Sequence, residues 1–89
     1  MLPKRRTTTH PGKILLEEYI KPLALTQAVL AKDLGISTNR LNELVCGKRG
    51  VSADTALRLA KRFKTSPEFW MNLQSAYELT RAAMSAAGD

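Results

Sequence analysis

An all-α domain of five helices is what this sequence predicts, and three observations carry the prediction. Apolar residues recur at 3.6-residue spacing through most of the 89 residues, while no stretch alternates convincingly with period two. Helix-start signals stand ahead of the periodic segments: Pro11, Thr26, Ser37, Ser52, and Ser66 with Pro67 behind it. Breakers separate those segments, namely Pro22, Gly35, Gly47 and Gly50. Eighty-nine residues allow one domain with one core, and 44% apolar content is enough to fill it.

Taken in order, residues 1–9 (MLPKRRTTT) read as a flexible basic arm ahead of a single domain at 10–89. Lys4, Arg5 and Arg6 are consecutive charges with no apolar face to dock, open to tracking phosphates, touching a protein partner or staying solvated. Pro11 suits a first helical turn, where its missing N–H costs nothing, and PGKILLEEYI follows until Pro22 ends the helix. His10 at that helix start has no carboxylate or cysteine neighbour and is assigned no chemistry.

Residues 26–46 read as two short helices around a tight turn. Thr26 caps the first, with Leu25 and Leu30 in staple positions; Gly35 stops it, because the residue just past a helix end usually needs positive φ. Ser37 caps the second, with Ile36 and Leu41 repeating the staple. Ala31 is small where the helices cross, and Leu30, Leu34, Ile36, Leu41 and Leu44 form one apolar seam. At 100° per residue Leu41 and Leu44 point inward, while Asn39, Asn42, Glu43 and Cys46 point out, with Thr38 at the tip and Arg40 on the flank. That is a helix-turn-helix whose outer face carries short polar side chains suited to base edges in a major groove. An ordinary αα-hairpin with a solvated polar face is the plainer alternative.

In the GKRG loop that follows, Lys48 and Arg49 sit between two glycines, placed for the DNA backbone or simply for solvent. Ser52 opens a fourth helix whose core face is Ala56, Leu59, Ala60 and Phe63; Arg58, Lys61, Arg62 and Lys64 occupy the remainder. The fifth helix is expected at 66–87, with two apolar stripes: Trp70, Leu73, Tyr77 and Met84, and beside them Phe69, Ala76 and Ala83. Two stripes exceed what a small core requires. Either both pack within the chain or one buries against a second copy, and the dimer surface expected is Phe69, Trp70, Leu73, Tyr77, Leu79 and Met84.

Fourteen Lys and Arg against eight Asp and Glu leave a net charge of +6, which favours an anionic partner such as nucleic acid. One Cys and one His, 36 positions apart, offer no nucleophile–base pair; no cluster has metal-ligand spacing and no Gly-rich phosphate loop follows a strand. The expectation is therefore no enzyme, no metal and no cofactor. Without a membrane-length apolar run or a signal peptide, a soluble cytoplasmic protein is expected, and the lone cysteine agrees with a reducing compartment.

Three stretches, HPGKILLEEYIKPL, RLNELVCGKRGVSADTALRLAKRF and SPEFWMNLQSAYEL, together resemble the HigA-type antitoxins, small proteins of the xenobiotic-response-element class with a lambda-repressor-like helix-turn-helix. The likeness covers nearly the whole chain. It implies a DNA-binding repressor that dimerises through its C-terminal region on an inverted-repeat operator of its own operon, and that neutralises a RelE-like mRNA-cleaving toxin. By the same likeness Thr38, Asn39, Arg40 and Asn42 match the base-reading helix, and Gln27 the phosphate contact at the preceding helix start; Ser37, Lys48 and Arg49 complete the expected phosphate set. Two positions depart from the family pattern: Cys46 replaces the usual Asn, and Lys13 stands where Glu is common. A helix-turn-helix regulator without a toxin partner is the first rival reading. A protein-interaction module that has lost DNA binding is the second, favoured by Glu43 on the outer face, where it repels phosphate.

Overall fold

The computed structural model describes residues 9–88, and the basic cluster Lys4, Arg5 and Arg6 lies outside them. Helix α1 (Pro11–Leu15) starts at His10, whose Nδ1 accepts the Gly12 N–H at 2.9 Å, and runs directly into a π-helical turn over Leu16–Ile20. The chain then turns back through Ala24 in the left-handed region (φ 54°) to enter α2 (Gln27–Leu34). The remaining elements are α3 (Thr38–Val45), α4 (Ala53–Phe63) and α5 (Pro67–Gly88). The described residues form five helices and no strand, the all-α arrangement that the sequence predicts.

Each predicted cap is made. The hydroxyls of Thr26, Ser37, Ser52 and Ser66 accept the backbone N–H three residues on, at 3.1, 3.0, 3.3 and 3.1 Å, satisfying donors that a helix start otherwise leaves without partners. Gly35 adopts φ 75° after α2, and the Ile36 N–H closes back on the Ala31 carbonyl at 3.0 Å. Lys64 ends α4 with φ 58°, a left-handed residue that no glycine marks in the sequence.

The core is built from Leu15, Leu30, Leu41, Leu44, Ala56, Leu59 and Trp70. Trp70 corrects the expected dimer surface. It is fully buried, its ring lies against Tyr19 and Phe69, and its Nε1 donates to Thr65 Oγ1 at 2.8 Å. A Trp with its one polar atom satisfied gains more from filling the space beside α1 and α4 than from lying on a surface.

Two close approaches fix how the helices stack. A Cβ on Gly12 would stand 1.8 Å from the Leu44 carbonyl oxygen, so α1 crosses the end of α3 in direct backbone contact. A Cβ on Gly50 would meet the Gln74 amide at 2.8 Å. That amide is buried; its Oε1 accepts the Val51 N–H at 2.8 Å and ties the loop after α3 to α5.

Candidate nucleic-acid interface

Leu41 and Leu44 anchor α3 in the core, and this turns Thr38, Asn39, Asn42 and Cys46 to solvent along one face. Asn42 is positioned rather than loose: its Nδ2 donates to Gln27 Oε1 at 3.3 Å, while its Oδ1 receives the Cys46 thiol at 3.8 Å. The first residue of α2 is thereby joined to the middle of α3, and the Gln27 Nε2 hydrogens stay available to a phosphate. Ser37, whose oxygen caps α3, keeps its own hydroxyl hydrogen to donate outward.

Arg40, expected among the base readers, is engaged on the flank of α3. Its Nη2 donates to Asp54 Oδ2 at 3.1 Å and to Thr55 Oγ1 at 2.7 Å, so its head is bound to the start of α4 rather than projecting with Asn39. The reason is local: Thr55 is buried and Asp54 offers the nearest carboxylate on that flank. Asp54 also takes Arg58 Nε at 2.9 Å. The hydrogen bonds from Arg58 and then Arg40 hold its carboxyl below the usual carboxylate range. Arg58 reaches further, donating to the carbonyls of Leu34 at 2.8 Å and Gly35 at 3.4 Å, where α2 leaves oxygens without intrahelical partners. One network of Arg40, Asp54 and Arg58 thus sets the angle between both helices of the motif and α4. In the sequence Arg58 reads only as surface charge.

Behind α3, Lys48 and Arg49 are both exposed. Arg49 is engaged with Glu43, its Nη2 and Nε at 2.6 and 3.0 Å from Oε1. This bears on the interaction-module reading: the Glu43 charge that would repel phosphate is neutralised within the molecule. Lys48 has no acidic partner among the described residues and is the loop's unengaged cation.

This chain matches the Helix-turn-helix family model over residues 16–70. Among solved structures it is similar to the Pseudomonas aeruginosa antitoxin HigA with the higBA promoter, at 44% identity and a TM-score of 0.83, covering 91% of this chain and 87% of that one. The chain belongs to the HigA family of helix-turn-helix antitoxins. Among curated relatives it is 51% identical to virulence-associated protein I of Dichelobacter nodosus, over 82% of this chain and 68% of that protein. It is 43% identical to the uncharacterised helix-turn-helix-type transcriptional regulator YbaQ of Escherichia coli, over 83% of this chain and 66% of that protein. The chain thus spans about two thirds of the length of these two relatives. The family is one of regulators and antitoxins, not of enzymes.

The surface expected to dimerise is divided by the structure. Phe69, Leu79 and Met84 are exposed on α5, whereas Leu73 and Tyr77 are half-buried and Trp70 is core. Tyr77 packs edge-on against the His10 ring, with centroids 4.7 Å apart, on the side of α5 that faces α1. At 100° per residue Ala76, Leu79 and Ala83, with Phe69 at their edge, lie on a side of α5 turned away from Tyr77, which leaves an exposed apolar strip on this HigA-family chain. Among the described residues no helix is long and apolar enough to cross a membrane.

Proposed function

We propose that this chain is the DNA-binding antitoxin of a toxin–antitoxin module, a homodimeric repressor of its own operon. The likeness to the Pseudomonas aeruginosa antitoxin solved with its promoter carries the reading, and it covers 91% of this chain. In this reading α3 enters the major groove with Thr38, Asn39 and Asn42 at the base edges. Gln27, Ser37 and Lys48 meet phosphates on either side, and Arg40 braces the helix from behind. Two subunits present two such helices to an inverted repeat. The toxin partner is a RelE-like mRNA-cleaving protein, an inference from family likeness. The protein acts in the cytoplasm, on the nucleoid when bound to DNA.

A gel-shift on the native promoter at two salt concentrations tests the DNA reading. Specific retention that exceeds random duplex of equal length supports it, and equal retention of both overturns it. A second reading, a regulator with no toxin partner, is favoured by the name of YbaQ as a transcriptional regulator. Co-purification with the product of a neighbouring short reading frame separates the two: a stable complex that abolishes RNA cleavage supports the antitoxin reading.

A further inference from the structure

The surface between α1 and α5 holds a feature of which the DNA reading uses only Lys48. Between the start of α1, the loop at 47–50 and α5 lie two adjoining hollows of about 410 and about 590 Å³ that share His10, Tyr77 and Arg81. Three cations reach them without a carboxylate partner among the described residues: Lys13, Lys48 and Arg81. Elsewhere the acids are largely used up, in pairs of Lys21 with Glu17, Arg40 and Arg58 with Asp54, Arg49 with Glu43, and Arg62 with Asp33. Glu78 is the carboxylate at the cleft wall; it accepts from the neutral Gln74 amide at 2.8 Å and keeps its charge, one negative group against three cations. Arg81 is braced but not neutralised. Its Nη1 donates to Tyr77 Oη at 3.1 Å, and its guanidinium lies 5.7 Å from that ring's centroid. Lys13, the departure from the family pattern that the sequence left without a purpose, is part of this ring of charge.

We propose that this cleft is a docking site for an acidic segment of a partner protein, with carboxylates meeting Lys13 and Arg81 and an apolar side chain resting on Tyr77 and Met84. Tyr77 and Met84 give the cleft an apolar wall beside its cations, which suits a peptide that carries both charge and side chains. None of Thr38, Asn39 and Asn42 lines either hollow, so the cleft is not the base-reading face. A second copy of this chain, itself at +6, would bring repulsion rather than complementarity. Burial first, and then the Arg81 charge, hold the His10 imidazole below its ordinary value.

The test uses the full chain and a short dye-labelled peptide of glutamates flanking one phenylalanine. It does not depend on the operator or the toxin, so its failure is distinct from failure of the proposed function. Binding followed by NMR should shift the amides of His10, Gly47, Gly50 and Arg81, and should raise the midpoint of the His10 titration. The double variant Lys13→Glu with Arg81→Glu should weaken the peptide by at least about tenfold, as for loss of two charge-assisted contacts. Lys32→Glu with Lys61→Glu, an equal change of net charge on exposed residues of α2 and α4, should leave it within about twofold, a difference worth only a few tenths of a kcal/mol. Equal losses from both double variants would reduce the effect to net charge and overturn the proposal. So would shifts centred on Asn39 and Asn42, or a cleft variant that weakens random duplex DNA more than it weakens the peptide.

Discussion

Arg40 of α3 is bound to Asp54 at the start of α4, guanidinium to carboxylate at 3.1 Å, with the buried Thr55 hydroxyl closing the contact at 2.7 Å. The recognition helix is therefore held from behind by a residue whose position in the sequence matches a base reader. Arg40→Ala removes hydrogen bonds and leaves the Thr55 hydroxyl with less satisfaction, so it should lower stability by about 0.5–1.5 kcal/mol. Asn39→Ala, on the exposed face, should leave stability unchanged and weaken specific operator binding by about 1–3 kcal/mol. Urea unfolding with fluorescence anisotropy on operator and random duplex checks both. If Arg40→Ala costs no stability yet removes discrimination between duplexes, Arg40 reads bases after all.

The loop cations should contribute unequally. Lys48 stands free while Arg49 is engaged with Glu43. Lys48→Ala should therefore flatten the salt dependence of operator binding by about 0.9 units of slope, the share of one phosphate contact. Arg49→Ala carries a second effect, the exposure of the Glu43 charge, so it should weaken binding at low salt more than a neutral loss would. Slopes measured across several salt concentrations separate these outcomes. Identical slopes for the wild type and Lys48→Ala would place Lys48 in solvent.

Gly12 is a packing requirement rather than a flexible joint. A methyl group there would lie 1.8 Å from the Leu44 carbonyl oxygen, backbone against backbone, so neither side can yield by rotating a side chain. Gly12→Ala should cost about 2–3 kcal/mol or more, at the upper end of overpacking effects. Gly50→Ala meets the end of the Gln74 side chain instead, which can rotate, though at the expense of its bond to Val51. It should cost less. Urea midpoints at unchanged m-value give the comparison, and equal costs would mean that α1 can shift off α3.

These two glycines mark where the sequence was legible and where it was not. Helix starts at Thr26, Ser37, Ser52 and Ser66 and the stop at Gly35 were readable because a cap is a local event, decided within four residues. The seam of Leu30, Leu34, Leu41 and Leu44 was readable from periodicity. Arg58 on the α2 carbonyls, Arg40 on Asp54 and Gln74 on Val51 join residues 14 to 24 positions apart, and no local pattern distinguishes them from solvated side chains. Trp70 was misplaced for a related reason. Periodicity shows that α5 has two apolar sides but not which one the domain covers. His10 emitted no signal at all, since a ring nitrogen serving as a cap is rarer than a hydroxyl.

His10 gives the fold a pH dependence with a definite sign. Its folded value lies below 6.5, chiefly through burial and then through Arg81. The neutral ring is the form whose Nδ1 can accept the Gly12 N–H at the start of α1. On acidification the unfolded chain takes up the proton first, so stability falls as pH drops from 6.5 through the folded value, and is fully present above 6.5. His10→Asn keeps a capping acceptor without the titration and should flatten this slope. Urea midpoints compared between about pH 7.5 and pH 5.5 test it, that interval being where histidine alone changes charge among ordinary side chains. A wild-type midpoint that does not move would mean the imidazole is not the cap acceptor.

The last prediction concerns assembly, on which tight operator binding depends. One helix-turn-helix offers few base contacts, and two copies on a twofold axis place their recognition helices roughly 34 Å apart, one turn of DNA along the same face. The structure narrows where such a dimer can form. Trp70 is consumed by the core and Tyr77 leans on His10, so the apolar surface left over is the side of α5 that carries Phe69, Leu79 and the small Ala76 and Ala83. Small residues between large ones let two helices approach closely, and a twofold contact uses the same strip on both subunits. Leu79 is 69% exposed, so Leu79→Asp disturbs nothing inside the monomer and should give a folded monomer with much weaker operator binding. Tyr77→Asp should instead destabilise the monomer, because it removes the ring that packs against His10. Light scattering and circular dichroism on both variants distinguish the two effects. A wild type that stays monomeric well above its operator dissociation constant, or a Leu79→Asp variant that still dimerises, would move the twofold interface off this strip.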